Sequence, residues 1–438
     1  MSEAAPARSI LLVAYFYPPC PDTGAHRPAA LAKHLRAAGH TVTVLTTRAY
    51  GELPGDGDED VFRSYDLQLA RARLRGRDGV EAVFGGGPYS GRPHPLSYLL
   101  VPEALVASWA PFARSLALRL HGDRRFDCVI TTSPPESSHL IGRALQRRGV
   151  AWLADLRDGW NFEPLRPRFP TSAQRRLDAR LERRLLGAAD RVTAVTAAMA
   201  EDAHRRLGAR AAVVPSGFEP QAPGGDAAAD LLDPNRVSIV YTGRFAHYSR
   251  DPSFLLEALA RLAREEPALA ERLELVFAGP YQPRERELLA RECAPARVRV
   301  VEALSRERAL ALQRAADVLL LIASAEPAQG ALAGEGPLGA PRPGAGSAKL
   351  FEYLGAGPPI LALAAGTEVG RIVEETGGGT VIGAADPEAI RSALRDIASG
   401  ILPPAGDEAK LGAYAYPRIA ARMAAEVEAA IAHRRLGR

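Results

Sequence analysis

Lysine is nearly missing from this chain: among 55 basic residues only Lys33, Lys349 and Lys410 are lysines, and the other 52 are arginines. That bias reads as a coding preference rather than a polyanion surface. The net charge is only +4 and both signs are spread along the sequence, so nucleic-acid binding is not expected. Cysteine is as scarce. Cys20, Cys128 and Cys293 are far apart with no CxxC, which excludes a disulfide framework and a zinc site and fits a reducing interior. Long apolar runs are also missing. The stretch from Leu96 to Leu120 is broken by Pro102, Glu103, Pro111 and Arg114, and its clean run from Ala104 to Ala113 is too short to span a bilayer. The opening MSEAAPARS has no signal-peptide core. The expectation is a soluble cytoplasmic protein. Leu105, Val106, Trp109 and Phe112 suit either a buried helix face, the preferred reading, or peripheral contact with the inner membrane face.

What is present is enough apolar material for sizeable cores. With 47% hydrophobic and 24% charged residues over 438 positions, the chain suits two or three domains, and its 40 Gly and 35 Pro do not make it disordered. Short β-branched runs alternate with longer segments of helical period, the pattern of parallel α/β units. The first series of strands is Ile10–Tyr15, Thr41–Thr46, Cys128–Thr132, Trp152–Asp155, Val192–Val195 and Ala212–Val214. Helices are expected between most of them, at Pro28–Ala38, Ser138–Arg148, Ser172–Leu186 and Ala197–Leu207. After Pro215-Ser-Gly-Phe-Glu-Pro220 an Ala/Gly/Asp-rich stretch reads as a linker. The alternation restarts at Val237–Thr242 and continues through Leu273–Ala278, Val298–Val301, Val318–Ile322, Pro359–Ala362 and Thr380–Ile382. A last helix, Pro417–Arg434, has no strand after it. Two doubly wound domains follow: residues 1–218 with a returning helix 414–438, a linker 219–236, and residues 237–413. Ligands of such sheets bind at the carboxyl ends of the strands. The Gly/Pro-rich loop from Ala323 to Gly346 is either a mobile cover or simply disordered.

Neither common nucleotide fingerprint is here. The turn after the first strand carries one glycine, Gly24, rather than GxGxxG, and no GxxxxGK[ST] occurs. A better anion site is Gly344-Ala-Gly-Ser-Ala-Lys-Leu-Phe-Glu-Tyr-Leu354, where a Gly-rich loop enters a helix with Ser347 as N-cap. A lysine in a first helical turn opposes the helix dipole by a few tenths of a kcal/mol to ~1 kcal/mol. A bound phosphate would remove that conflict, because backbone N–H groups and the ammonium would converge on it. The competing reading is a surface ion pair between Lys349 and Glu352, worth roughly 0.2–0.5 kcal/mol. Arg244 and Arg250 bracket the loop between Tyr241-Thr242-Gly243 and the next helix, where guanidinium groups suit phosphate. His26, His139 and the acids of Ala154-Asp155-Leu156-Arg157-Asp158 are the candidates for proton transfer, with Asp155 and Arg157 also able to pair with each other.

These motifs resemble the GT-B-fold glycosyltransferases of the family 4 type. Ile10-Leu-Leu-Val-Ala-Tyr-Phe-Tyr-Pro-Pro19, Gly24 and Gly39-His-Thr-Val-Thr-Val-Leu45 are similar to the family's opening strand, loop and second strand. Thr131-Thr-Ser-Pro-Pro135 with Trp152-Leu-Ala-Asp-Leu-Arg-Asp-Gly-Trp160 is similar to the middle of its acceptor domain. Val214-Pro-Ser-Gly-Phe218 resembles the segment closing that domain, and Gly346-Ser-Ala-Lys-Leu-Phe-Glu-Tyr-Leu-Gly-Ala-Gly357 resembles the donor-site helix. The resemblance implies two Rossmann-like domains facing each other across a cleft, with the last helix crossing back to the first. It implies a retaining, metal-independent transfer of a sugar from a nucleotide-diphosphate donor to a hydroxyl acceptor, with no cofactor beyond the donor. The acceptor classes it suggests are a cell-envelope glycan, a lipid-linked saccharide or a bacterial secondary metabolite. Gly24, Gly243, Arg244, Arg250, Lys349 and Leu350 would then serve the donor diphosphate, and Glu352 the ribose. Lys349 and Arg244 would act in catalysis, with Asp158 and His139 as further candidates. One departure is clear: many relatives carry a second glutamate eight positions before the ribose acid, and here that position is Gly344. A nucleotide-sugar epimerase of the same fold and a non-catalytic nucleotide-sugar-binding subunit are the alternatives.

Overall fold

A computed structural model describes residues 6–20, 23–51, 60–67, 101–103, 108–162, 169–220, 228–245, 250–290, 293–323 and 348–436. The chain divides into two compact units, one of Met1–Ser216 with Tyr416–Arg438 and one of Gly217–Ala415. Each is a parallel sheet covered by helices, as expected for strands that are apolar on both faces.

Among the described residues the first unit has seven strands: β1 (Ser9–Val13), β2 (Thr41–Thr47), β3 (Val61–Ser64), β4 (Cys128–Ser133), β5 (Ala151–Leu156), β6 (Arg191–Ala194) and β7 (Ala211–Val213), in the order β3-β2-β1-β4-β5-β6-β7. The chain leaves β1 in one direction and returns to β4 on its other side, so β1 and β4 flank the switch point where such sheets bind ligands. Alternation along β1 sends Leu11 and Val13 to one core and Ile10 and Leu12 to the other. The second core is completed by the final helix, Tyr416–Leu436. Its Ile419, Met423, Val427 and Ile431 recur every fourth residue and are buried where the helix packs on β4, β5 and β6 and on the His26–Ala37 helix. Each such side chain contributes roughly 1.5–3 kcal/mol. Arg8 fixes the helix further with two bonds to Glu428, 2.6 and 2.7 Å. The helix that lacks a following strand is therefore a covering layer of the first sheet.

Among the described residues the second unit has six strands: β8 (Val237–Thr242), β9 (Leu273–Ala278), β10 (Arg297–Val301), β11 (Val318–Ile322), β12 (Ile360–Leu363) and β13 (Gly379–Ile382), in the order β10-β9-β8-β11-β12-β13. Its switch point lies between β8 and β11.

β3 is missing from the sequence reading. Its four residues, Val-Phe-Arg-Ser, are two apolar followed by two polar and are mostly half-buried, so neither run length nor periodicity marks them. Trp109 is fully buried while Phe112, on the Ala110–Arg124 helix, is exposed. Leu105, Val106, Ser347, Gly344 and the 324–347 segment lie outside the described residues. Among the described residues no helix is long and apolar enough to cross a membrane.

Candidate functional site

In the second unit the carboxyl end of β8 meets the Ala348–Ala356 helix. Leu350, Phe351 and Leu354 are buried beneath that helix and give it a fixed seat. Tyr353 orients it: the phenolic oxygen accepts a bond from the Thr242 backbone N–H at 3.0 Å. Gln313 Nε2 in turn donates to Thr242 Oγ1 at 2.9 Å. Lys349 lies one turn before Tyr353 on the same face, so seating Tyr353 also carries Lys349 to the end of β8.

Lys349 Nζ stands 3.7 Å from the centre of the Tyr241 ring. It is buried and has no hydrogen-bond partner among the described residues, although the side chain as a whole is only partly buried. Burial pushes its pKa well below the usual 10.5, the positive charge of Arg250 pushes the same way, and Glu352 opposes them. An ammonium with three donors and no acceptor in reach is a costly arrangement. It is also a cationic group ready for an anion. Gly243, at φ +113°, makes room for this head group: a Cβ there would fall 2.9 Å from Nζ.

The neighbouring Gly279 has a similar constraint, since an added Cβ would lie 2.4 Å from the Gly243 carbonyl oxygen. Backbone cannot swing aside as a flexible side chain can. Gly279→Ala is expected to cost about 1–3 kcal/mol of second-unit stability by overpacking. All three tryptophans, Trp109, Trp152 and Trp160, belong to the first unit, so the calorimetric transition that tryptophan fluorescence does not follow reports the second. An unchanged transition in the variant would show that the Gly243 carbonyl moves freely.

The sequence brought forward a Lys349–Glu352 ion pair, and this is not what forms. Glu352 accepts from Arg306 Nη1 at 2.7 Å, on the first turn of the Arg306–Ala315 helix. Spacing along one helix suggested the nearer partner, but Lys349 turns toward β8 and Glu352 turns toward the adjacent helix. Arg250 is close enough to act on both Lys349 and Tyr241. Arg244 is exposed, and its backbone carbonyl accepts the Tyr241 hydroxyl at 2.8 Å. Leu350 has its side chain in the core, leaving only its backbone N–H for a ligand.

In the first unit the ends of β1, β4 and β5 are tied together by arginines. Arg157 donates from Nε to the Ser133 carbonyl at 3.1 Å and from its two Nη atoms to the carbonyls of Pro134 and Gly24. Asp155 and Arg157 do not pair with each other. Asp155 is fully buried and is bonded by Arg27 at 2.8 and 3.2 Å, by Thr193 Oγ1 at 2.9 Å and by Thr132 Oγ1 at 3.0 Å. Both threonines are its register neighbours on β6 and β4. Burial would raise the Asp155 carboxyl, but Arg27 and the hydroxyls outweigh it and hold the pKa below the ordinary value. This carboxylate is a structural joint, closed to proton transfer.

His139 is likewise fully buried, near the start of the Ser138–Gln146 helix. Thr131 Oγ1 accepts from Trp152 Nε1 at 2.8 Å and shares a second hydrogen bond with His139 Nδ1, also at 2.8 Å. Burial lowers its pKa to about 3. The ring is neutral at physiological pH and stacks on Trp160, so the geometry fits packing better than general-base work. Asp158 lies in the loop after β5, half-buried. His26 opens the first helix, and Gly24 sits in the 3-10 turn just before it.

Two family models match: a glycosyl transferase 4-like domain over residues 23–217 and a glycosyl transferases group 1 model over residues 236–399. No curated protein matches the sequence. Among solved structures the fold is similar to a glycosyltransferase from Rickettsia africae, with 14% identity, a TM-score of 0.58 and coverage of 98% of this chain and 99% of that one. It is similar to an α,α-trehalose 6-phosphate synthase from Burkholderia multivorans, with 15% identity, a TM-score of 0.57 and coverage of 98% and 99%. It is also similar to Anabaena HepE in complex with UDP-glucose, with 14% identity, a TM-score of 0.56 and coverage of 96% and 99%.

Proposed function

The chain belongs to the GT-B glycosyltransferases of the family 4 type, retaining enzymes that use nucleotide sugars, and from that premise we propose a metal-independent transfer to a hydroxyl acceptor with the donor held by the second unit. The observation that carries the donor assignment is the Nζ of Lys349 at the β8–β11 switch point, buried and without a hydrogen-bond partner among the described residues. The diphosphate of the donor is the anion that this nitrogen lacks. Arg250 beside it, Arg244 on the same loop and the backbone N–H of Leu350 complete the cradle, and Gly243 leaves space for the phosphate to approach. Glu352 accepts from the ribose hydroxyls, exchanging part of its bond to Arg306 for them.

In this reading the C–O bond between sugar and diphosphate breaks, and negative charge builds on the leaving oxygen. Lys349 and the two arginines stabilise that charge in a site shielded from water, where fixed charges count most. The acceptor hydroxyl forms the new bond on the same face of the sugar and gives its proton to the departing phosphate, so no protein base is required. A UDP-sugar is the first donor to try, because a relative of the same fold binds UDP-glucose.

The test is a panel of UDP-, GDP- and dTDP-sugars. At one hundred times its dissociation constant a true donor would stabilise the protein by about 2.7 kcal/mol, a clear shift in thermal unfolding. Slow donor hydrolysis without acceptor is expected from the same compound. Absence of both effects across the panel would remove the proposal.

A further inference from the structure

At the amino ends of β5 and β6, opposite the end where such sheets hold their ligands, arginines from three helices gather around one buried amide. Gln146 closes the Ser138–Gln146 helix and is buried. Its Nε2 donates to the Ala188 carbonyl at 2.7 Å and to Asp190 Oδ2 at 3.0 Å. Arg143 donates to its Oε1, and Arg434, in the last turn of the final helix, donates to its backbone carbonyl. Arg147 follows Gln146 directly, Arg184 lies in the last turn of the Ser172–Leu186 helix, and both are near enough to act on Arg143.

Little offsets this charge. Among the described residues none of the four arginines forms an ion pair. Asp190, whose charge favours Arg143, is buried and already occupied: it accepts from Gln146 and from the Trp152 backbone N–H at 2.9 Å, and it meets His433 Nδ1 at 3.3 Å. Arg434 Nε is buried with no hydrogen-bond partner among the described residues. Arg143 is pushed below its usual pKa, first by partial burial and then by Arg147, Arg434 and Arg184. The helix dipole favours a cation at each carboxyl end, but it does not favour bringing those cations together. Water screens the exposed Arg147 and Arg184, and it screens the half-buried Arg143 and Arg434 less. The cluster lacks an anion with enough charge for several guanidinium groups.

We propose that Arg143, Arg147, Arg184 and Arg434 form a binding site for a ligand with two or more clustered phosphates. Guanidinium forks match phosphate oxygens in paired, charge-assisted bonds, and linked phosphates carry more charge than a single one over a span that several arginines share. The site is separate from the proposed donor site, which lies in the second unit, and it does not rest on the glycosyltransferase reading. A ligand there pins the end of the final helix, the covering layer of the first sheet, to the two helices beside it.

Tripolyphosphate at constant ionic strength is the probe. Tryptophan fluorescence during thermal unfolding is the readout, since all three tryptophans lie in the first unit. At one hundred times its dissociation constant the probe should raise this transition by about 5–10 °C. Inorganic phosphate should need at least a tenfold higher concentration for the same shift. Backbone amides at 430–436 should exchange hydrogen more slowly in the complex. Arg147→Glu and Arg184→Glu, both at exposed positions, should each weaken binding tenfold or more, and the shift should persist in Lys349→Met, where the donor site is impaired. Co-sedimentation with phosphatidylglycerol vesicles separates the sources. Capture by the wild type and not by the arginine variants would make the phosphates those of a lipid surface. No capture, with tripolyphosphate still bound, would make them soluble ones. An equal shift from sulfate at the same ionic strength, or arginine variants that respond as the wild type does, would overturn the inference.

Discussion

Lys349→Met is expected to weaken nucleotide-sugar binding by about ten- to a hundredfold while making the free protein more stable. The two effects have one origin. Nζ is buried with no hydrogen-bond partner among the described residues, and leaving such a donor unsatisfied costs about 1–3 kcal/mol. Methionine fills a similar volume without a polar head, so the second unit should gain about 1 kcal/mol, or about 2–4 °C in its unfolding transition. The loss on the binding side is that of charge-assisted bonds to the diphosphate, about 1.5–3 kcal/mol. A variant that lost stability together with affinity would return Lys349 to a structural role.

The same lysine makes donor binding depend on pH. Its pKa is lowered by burial and by Arg250, so the free protein holds this group partly or wholly neutral in a window below 10.5. Across that window the unfolded chain binds more protons than the folded one, and the stability of the free protein therefore rises with pH. A bound diphosphate restores the charged form. Donor binding then takes up a proton, and the dissociation constant should rise with pH by up to tenfold per unit. In Lys349→Met this dependence should vanish from the window. Calorimetric titration in buffers of different ionisation enthalpy measures the proton directly, and zero uptake by the wild type would contradict the argument.

Asp155→Ala should have the largest effect on folding, about 3–5 kcal/mol of first-unit stability. The variant leaves the Arg27 guanidinium buried without its counter-ion, which is the expensive way to break a buried pair. Arg27 also donates to the carbonyls of Val214 and Pro215, at 2.9 and 2.6 Å, so the end of the first unit would loosen with it. Tryptophan fluorescence during urea unfolding isolates this unit, and the double change Arg27→Met with Asp155→Leu should recover much of the loss. Because the Asp155 pKa is lowered on folding, its contribution is present above the unfolded carboxyl value and disappears as pH falls through the folded one. An Asp155→Ala protein as stable as the wild type would mean that Arg27 finds water or another acceptor.

Much of this was legible from the chain alone. Strand β8 and the Ser172–Leu186 and Ala197–Leu207 helices fall where apolar period puts them, because that signal acts between residues a few positions apart. The placing of Lys349 in a first helical turn was readable too, since the Gly-rich run before it and the apolar period after it mark where that helix begins. What the sequence could not carry is which distant groups meet. Asp155 had a plausible partner two residues away and took one on the first helix instead, because the strand register sealed it among Thr132, Thr193 and Arg27. Glu352 took Arg306 rather than Lys349 for a similar reason: packing turned the two faces of one helix toward different neighbours. The charge state of Lys349 also waited for the fold. A pKa is set by the water and charge around a group, and only tertiary packing removed the water from Nζ and set Arg250 beside it.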